Sequence, residues 1–428
     1  MLFSNASNLA STLRGYRPGA LARNSAVVML WSGARLGAQL LWVLLLAREL
    51  GASSYGAFSG VIALALAMSG FAGLGQGLRM YQDAARAPEL LADRWRQASR
   101  VLVWSGAGLA VAFMAVAHGM FRGADWSLLT AIALSELVSA PVVSQVAFAY
   151  ASRGWMGRAA AVPVILSVMR ILAVVVMTML PGGASIGIYA WLHLLASVIT
   201  ATALCVICTR ELSIASVDRG LDKSDVWAGL GFSAIQASGL ALGSMYKAFA
   251  LRWGGEVLAG NYVAAYRFIS AAVLPVDSLM MAALPHLFRA GAGRVNAGRI
   301  LLALAIAASG YGILMGTVVW WAAGLLPWLL GPSFSGASAA ARMLAIYVPL
   351  YCLRTLGTNT LLGFGWKRWR FGCELAALAT MGGAAAWRIP ATGLAGAVEA
   401  LLAAEVVLLL LIWGGVFFRV LSRPWGRV

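Results

Sequence analysis

Charged residues are scarce in this chain, and acidic residues are the scarcest of them. Asp, Glu, Lys and Arg make up 11% of the 428 residues, with 15 acids against 32 bases. Soluble domains carry about 25% charged residues. The hydrophobic fraction of 61% and the mean hydropathy of +0.83 add to this contrast. The composition excludes a soluble globular protein and indicates an integral membrane protein.

Sequence signatures of catalysis and metal binding are also missing. The chain has no G-x-x-x-x-G-K-[ST] loop and no G-x-S-x-G elbow. Its 3 histidines lack H-E-x-x-H spacing, and the C-x-x-C of Cys205 and Cys208 has no second ligand pair, so we interpret these cysteines as small packing residues. We therefore predict no metal, no cofactor and a protein that is not an enzyme.

Long apolar runs dominate what is present. Twelve apolar stretches lie between Asn24 and Phe418, and each reaches or approaches the roughly 20 residues that cross a bilayer as a helix. The predicted spans are 24–47, 56–78, 100–121, 126–150, 159–180, 185–208, 226–250, 258–284, 300–322, 337–362, 371–388 and 392–418. The predicted fold class is an all-α polytopic membrane protein with about 12 transmembrane helices.

Basic residues fall in nearly every second gap between the spans. With a cytoplasmic N-terminus, 22 of them lie inside and four outside, namely Arg48, Arg122, Arg252 and Arg388. The positive-inside bias therefore predicts that both termini are cytoplasmic. Short basic loops beside membrane lipids also explain the net charge of +17, so nucleic acid is not a predicted partner. Within these loops, the segment 88–100 predicts a short amphipathic helix on the cytoplasmic surface.

An internal repeat relates the two halves of the chain. The stretch that begins at the first span aligns without gaps with the stretch that begins at the seventh, at an offset of 204 residues. The matched pairs are Arg48 with Arg252, Gly51 with Gly255, Gly56 with Gly260, and Phe58 with Tyr262. An offset of six helices predicts parallel lobes related by a pseudo-two-fold axis along the membrane normal. We expect lobes at 1–208 and 226–428, a cytoplasmic linker at 209–225, and substrate between the lobes.

Several of these segments resemble a known family. The run LARELGASSYG at 46–56, the Gly-Leu-Gly at 73–75, the Gly-Asn-Tyr at 260–262 and the Ala-Leu-Pro at 283–285 are similar to bacterial polysaccharide-transporter flippases. This family belongs to the multidrug/oligosaccharidyl-lipid/polysaccharide superfamily, which also contains multidrug exporters and lipid II flippases.

The resemblance implies a function and its partners. It implies an inner-membrane flippase that moves a polyprenyl-pyrophosphate-linked oligosaccharide repeat unit by alternating access, for exopolysaccharide, capsule or O-antigen synthesis. The implied partners are the lipid-linked glycan, membrane lipids, and a polysaccharide polymerase with its export machinery.

Six basic residues lie within the predicted spans, where each would cost roughly 2.5–3.5 kcal/mol at a helix centre facing lipid. They are Arg35, Arg170, Lys247, Arg267, Arg342 and Arg354. Arg342 and Lys247 lie near the outer ends of their spans, where a long side chain can snorkel to headgroups. Polar residues at spacings of three and four form stripes on the first, seventh and eighth spans.

These stripes and cations predict a cavity that takes an anion. The predicted cavity residues are Arg35, Gln39, Arg170, Gln236, Lys247, Arg267 and Arg354. Guanidinium groups offer forked donors to phosphate oxygens. We expect these side chains to bind the pyrophosphate and any acidic sugars of a lipid-linked oligosaccharide.

A structural role is the alternative for the same cations. Buried charges often pair only to hold helices together, and the available acids are Glu136, Asp277, Glu374, Glu399 and Glu405. Asp277, Glu136 and Glu405 are also candidate sites for a proton or Na⁺ that drives transport. Of these two roles for the acids, we favour pairing.

Two other functions remain open from the sequence. A small-molecule or multidrug antiporter of the same superfamily shares the expected fold, but a cation exporter needs buried acids without a surplus of buried bases. A membrane-embedded polysaccharide polymerase or ligase also handles lipid-linked sugars. Such enzymes usually have a large periplasmic loop, whereas the longest predicted outside connection here is 324–336.

Overall fold

A computed structural model describes residues 20–181, 183–214, 223–291, 297–363 and 365–422. This described part is all-helical and contains no strand, which confirms the predicted all-α class. The helices are α1 (Ala20–Ser69), α2 (Gln76–Arg86), α3 (Leu91–Met120), α4 (Trp126–Ser152), α5 (Met156–Met179), α6 (Ile186–Glu211), α7 (Lys223–Gly291), α8 (Ala297–Ala322), α9 (Leu326–Leu330), α10 (Ala337–Leu344), α11 (Tyr347–Gly363), α12 (Lys367–Thr392) and α13 (Leu394–Ser422).

Eight helices of the described part are long and apolar enough to cross a membrane, or nine if α10 and α11 form one span bent by 47°. The first predicted span and most of the second lie together in α1, which ends at Ser69, and the seventh and eighth lie together in α7. The predicted eleventh span lies in α12, which is not among these eight helices. The count of twelve therefore stays a prediction, as do the positions of the two termini.

The two longest helices each break at a glycine. Gly51 in α1 has φ 70° and ψ 173°, and Gly255 in α7 has φ 77° and ψ 178°. Only glycine adopts a positive φ with extended ψ at low cost. The two glycines are also one of the pairs that the internal repeat matches. Each break divides its helix into two arms. In α1 the arms run from 20 to 50 and from 52 to 69, and in α7 they run from 223 to 254 and from 256 to 291.

The arms of α1 and α7 cross immediately after these breaks, with reciprocal contacts. A Cβ atom added at Gly56 would lie 1.9 Å from the carbonyl oxygen of Glu256, and one added at Gly260 would lie 1.9 Å from the carbonyl oxygen of Ala52. The Ser53 hydroxyl also donates a hydrogen bond to the Glu256 carboxylate. The repeat is thus matched by local geometry at the crossing. Its extension to whole lobes stays a prediction.

The second arm of α1, and the segment that follows it as far as Gly75, pack on the first arm of α7. A Cβ atom at Gly70 would lie 2.4 Å from the Cα atom of Ala237, and one at Gly75 would lie 2.3 Å from the carbonyl oxygen of Gly229. The first arm of α1 is different, because a side chain added at Gly33 or at Gly37 would meet nothing within 4 Å. Open space therefore lies beside the first arm of α1.

The amphipathic surface helix predicted at 88–100 is wrong as a separate element. The chain enters α3 at Leu91 and stays helical to Met120, so most of this segment is the first part of a membrane-length helix. Leu91 and Trp95 are buried in a small hydrophobic cluster with Met80 of α2. The apolar side of the segment packs on protein rather than on headgroups.

The structure predicts that Gly260→Ala will destabilise the protein by about 1–3 kcal/mol, because the new methyl group must displace a backbone carbonyl rather than a flexible side chain. The measurement is the apparent unfolding temperature of the purified protein in detergent. Gly243→Ala in the same helix is the matched control, since a Cβ atom there meets nothing within 4 Å. Equal unfolding temperatures for the two variants would contradict the tight crossing.

Candidate functional site

A cavity of about 520 Å³ lies between the crossing arms and the N-terminal helices. Residues of α1 to α5 and of α7 line it. Six of the seven predicted cavity residues are among them: Arg35, Gln39, Arg170, Gln236, Lys247 and Arg267. Arg354 is not. What these residues bind stays a prediction.

The cavity wall carries an excess of positive charge. Its lining includes four basic side chains, those of Arg35, Arg170, Lys247 and Arg267, and one carboxylate, that of Glu136. This composition leaves three positive charges in excess. Because the wall also includes apolar side chains such as Trp42 and Leu240, these charges act in a medium less polarisable than bulk water.

Three of the four cations have no acidic partner among the residues that the structure describes. Within the described part of the chain, no carboxylate lies within 4.0 Å of the charged groups of Arg35, Lys247 or Arg267. The Nε atom of Arg267 is buried without a hydrogen bond. The Lys247 side chain is only 6% exposed, and its Nζ atom lies 5.2 Å from the centre of the Tyr246 ring. The expectation that Lys247 snorkels to the surface is therefore wrong.

The fourth cation, Arg170, is paired. Its guanidinium donates to Oε1 of Glu136 and lies 5.9 Å from the centre of the Trp42 ring, while its Nε atom is buried without a partner. Glu136 lies on a π-helical turn, Leu134–Ser139, inside α4. A π turn inserts an extra residue into the helix and rotates its neighbours, a device that is frequent at functional sites.

Glu136 Oε1 also accepts hydrogen bonds from two neutral groups. The Ser135 hydroxyl lies 3.0 Å away and Nε2 of His193 lies 2.9 Å away. Ser135 is in turn 3.0 Å from the hydroxyl of Ser197 on α6. The carboxylate thus joins α4, α5 and α6.

The hydrogen bonds behind His193 fix its tautomer. Nε1 of Trp42, which can only donate, lies 2.6 Å from the Tyr189 hydroxyl oxygen, and this hydroxyl lies 3.3 Å from Nδ1 of His193. The Tyr189 proton is therefore free to bond Nδ1, which leaves Nε2 with the hydrogen that it donates to Glu136. Phe58 packs edge-on against His193 at 5.4 Å between ring centres.

A second polar cluster lies in the C-terminal half. Nε of Arg354 is 2.5 Å from Oε1 of the buried Glu405, and its guanidinium lies 4.5 Å from the Tyr351 ring centre. The Tyr351 hydroxyl donates to both carboxylate oxygens of Asp277, at 3.1 Å and 3.2 Å. Asp277 and Glu405 thus lie together here, while the third candidate for ion coupling, Glu136, lies at the cavity.

The predicted alternative of structural pairing fits some of the cations and not others. It fits Arg170 and Arg354. The remaining two acids pair with basic residues outside the predicted set, Glu374 with Arg370 at 2.8 Å and Glu399 with Arg388 at 2.5 Å. Arg342 is exposed, with its guanidinium 5.6 Å from the Trp320 ring centre.

The sequence reasoning missed the residues that support Glu136. The sequence analysis does not place Ser135, Tyr189 or His193 in the site. It considers His193 only as a possible metal ligand. One signal was available: Tyr189 and His193 are four residues apart, so they share a face of the predicted sixth span.

The family model described as "Polysaccharide biosynthesis protein" matches residues 21–290. No curated protein matches the chain.

Three solved structures show the fold. The inward-facing conformation of a multidrug resistance transporter of the MATE family, in the MOP superfamily, is 17% identical over 93% of this chain and 100% of that chain, with a TM-score of 0.72. The outward-facing conformation of such a transporter is 17% identical over 94% and 97%, with a TM-score of 0.61. The lipid II flippase MurJ in an inward closed conformation is 12% identical over 91% and 87%, with a TM-score of 0.69.

The matched structures are described as transporters and a flippase. The chain is a multi-pass membrane protein with the fold of MOP-superfamily transporters. Because the family model covers well over half of its length, the chain belongs to the polysaccharide biosynthesis protein family.

Proposed function

We propose that this chain is a flippase that moves a polyprenyl-pyrophosphate-linked oligosaccharide repeat unit across the bacterial inner membrane. It works by alternating access and serves exopolysaccharide, capsule or O-antigen synthesis. Polymerase and export machinery act on the glycan after it has crossed. The cavity holds the charged head of the cargo, while the polyprenyl tail stays in lipid.

One observation carries this proposal: Arg35, Lys247 and Arg267 face one cavity without an acidic partner in the described part of the chain. Lys247 is buried and Arg267 is half-buried, whereas Arg35 is exposed. An unpaired charge costs several kcal/mol when it is fully buried. Arg267 also acts on Lys247 as a like charge, and Arg170 acts in the same way on Arg35. A diphosphate brings negative charge to all four groups and removes both repulsions.

The shape of the cavity supports alternating access. The crossing at Gly56 and Gly260 lies at the predicted periplasmic ends of the arms and is closed by backbone contact. The lining extends to Gly75, Gly77 and Leu78, at the predicted cytoplasmic end of the second span. In the proposed cycle this form receives cargo from the cytoplasm.

The second candidate is a multidrug or small-molecule antiporter, and the likeness to a MATE transporter at a TM-score of 0.72 favours it. The charge of the cavity separates the two candidates. Many exported drugs are cations, and a wall with three positive charges in excess repels them. An anionic small molecule would be compatible with the same wall.

Loss of the protein is predicted to trap lipid-linked oligosaccharide on the cytoplasmic side of the membrane. The measurement is the labelling of this intermediate in intact cells by a membrane-impermeant probe, with and without the gene. The flippase proposal expects the intermediate to accumulate and to stay unlabelled. Accumulation of labelled, unpolymerised units would place the protein after the flipping step. Unchanged pools would favour the antiporter.

Arg35→Gln, Lys247→Gln and Arg267→Gln are each predicted to reduce translocation of the lipid-linked cargo about tenfold, because each removes one charge-assisted hydrogen bond to the diphosphate. The measurement is the initial rate of translocation in proteoliposomes. Arg342→Gln is the matched control, since this exposed arginine is not among the residues that line the cavity. If the control loses as much activity as the three cavity variants, the cavity is not the cargo site.

A further inference from the structure

Arg170 differs from the other cavity cations in having a counter-ion of its own. Arg35, Lys247 and Arg267 have none in the described part of the chain, whereas the Arg170 guanidinium donates to the Glu136 carboxylate, which lines the same cavity. The pair therefore lies where an anionic cargo would compete for the same arginine.

From this arrangement we propose that Glu136 is a built-in competitor for the cargo anion at Arg170. The inference rests on the proposed function, because it assumes that the cavity receives a diphosphate. Cargo takes the Arg170 guanidinium from Glu136 on binding, and Glu136 takes it back on release. Glu136 thereby limits how tightly the cavity holds its cargo.

The other hydrogen-bond donors around Glu136 can hold its carboxylate in position when Arg170 moves away. Its Oε1 atom accepts from Ser135 at 3.0 Å and from Nε2 of His193 at 2.9 Å, independently of Arg170. His193 is itself held by the Tyr189 hydroxyl and by the packing of Phe58. When Arg170 turns to the cargo, these donors still satisfy the carboxylate.

Arg170 has hydrogen-bond donors that are not used by Glu136. Its Nε atom is buried and has no hydrogen-bond partner, although a guanidinium offers five donors. Because the Arg170 side chain is 14% exposed and lines the cavity, a diphosphate oxygen can bind its exposed donors, rather than the buried Nε atom, while the Glu136 contact loosens. At Arg170, a diphosphate would therefore displace the Glu136 carboxylate rather than bind to an arginine without a counter-ion.

A comparable pair in the other half of the chain does not share this position. Nε of Arg354 lies 2.5 Å from the carboxylate of Glu405, which is also buried, but neither residue lines the cavity. The same chemistry therefore also occurs away from the cavity. Glu405 supplies a matched control for Glu136.

The test is the affinity of the full-length protein in detergent for inorganic pyrophosphate, measured by isothermal titration calorimetry. Glu136→Gln keeps the shape of the side chain, removes its charge and frees Arg170. We expect the Kd of this variant to fall about tenfold, because one charge-assisted hydrogen bond is no longer shared. Glu405→Gln should leave the Kd unchanged. Glu136→Asp, which keeps the charge but shortens its reach, should lower the Kd by less than Glu136→Gln.

The outcomes separate this inference from the proposal on which it rests. If the native protein binds pyrophosphate and Glu136→Gln binds it equally or more weakly, Glu136 has a structural role and the inference is wrong, while the anionic cavity stands. If neither protein binds pyrophosphate, both ideas fall.

Release provides a second readout that a structural role would not produce. Glu136→Gln is expected to bind lipid-linked cargo more tightly and to translocate it more slowly in proteoliposomes, at an unchanged unfolding temperature. Should Glu136→Gln fail to fold, the same two measurements on Glu136→Asp decide the question. Tighter binding with slower turnover supports the inference, and weaker binding overturns it.

Discussion

The close crossing of α1 and α7 is the constraint on which the rest of the structure depends. A bilayer gives helices no hydrophobic reason to associate, since lipid tails are as apolar as Leu, and close contact between small residues takes the place of that driving force. Gly56 and Gly260 allow such contact, with backbone oxygens where a Cβ atom would otherwise lie. The preceding breaks at Gly51 and Gly255 set the direction of each following arm. Crossing and breaks together place the second arm of α1 in contact with both arms of α7 and leave open space beside the first arm of α1.

The positions of the cavity cations follow from those arms. Arg35 lies on the first arm of α1, whereas Lys247 and Arg267 lie on the two arms of α7. Backbone packing rather than ion pairing brings these three charges to one cavity, since no carboxylate in the described part of the chain lies within 4.0 Å of them. This distinction matters for function. Ion-paired charges can serve to hold helices together, but unpaired charges that face a shared space oppose the fold unless water or an anion compensates them.

The sequence predicts helices well here because long apolar runs have few alternatives in a membrane. The repeat pairs Gly51 with Gly255, but the sequence places both in loops between spans and does not predict that each breaks a longer helix. It could not tell paired cations from unpaired ones. Glu136 and Arg170 are 34 residues apart, and a helical face specifies a direction rather than a neighbour. The π turn in α4 has no clear sequence signal, and the side chains of Ser135 and Glu136 depend on it. Lys247 was misplaced because distance from the end of a span does not show whether a side chain faces headgroups or a cavity.

The distribution of charge between the two halves of the chain allows the proposed anionic cargo to affect the conformation of the protein as well. Arg35 and Arg170 belong to the N-terminal half, whereas Lys247 and Arg267 belong to the C-terminal half, and all four line one cavity. In the absence of an anion, Arg170 repels Arg35 within the N-terminal half, and Arg267 repels Lys247 within the C-terminal half. Under the proposed function, a bound diphosphate attracts the cations of both halves to the same group. A ligand shifts a conformational equilibrium only by the difference in its affinity for the two states. If the proposed flippase works by alternating access, an anion that draws both walls together has such a difference, so its binding favours the closed intermediate of that cycle.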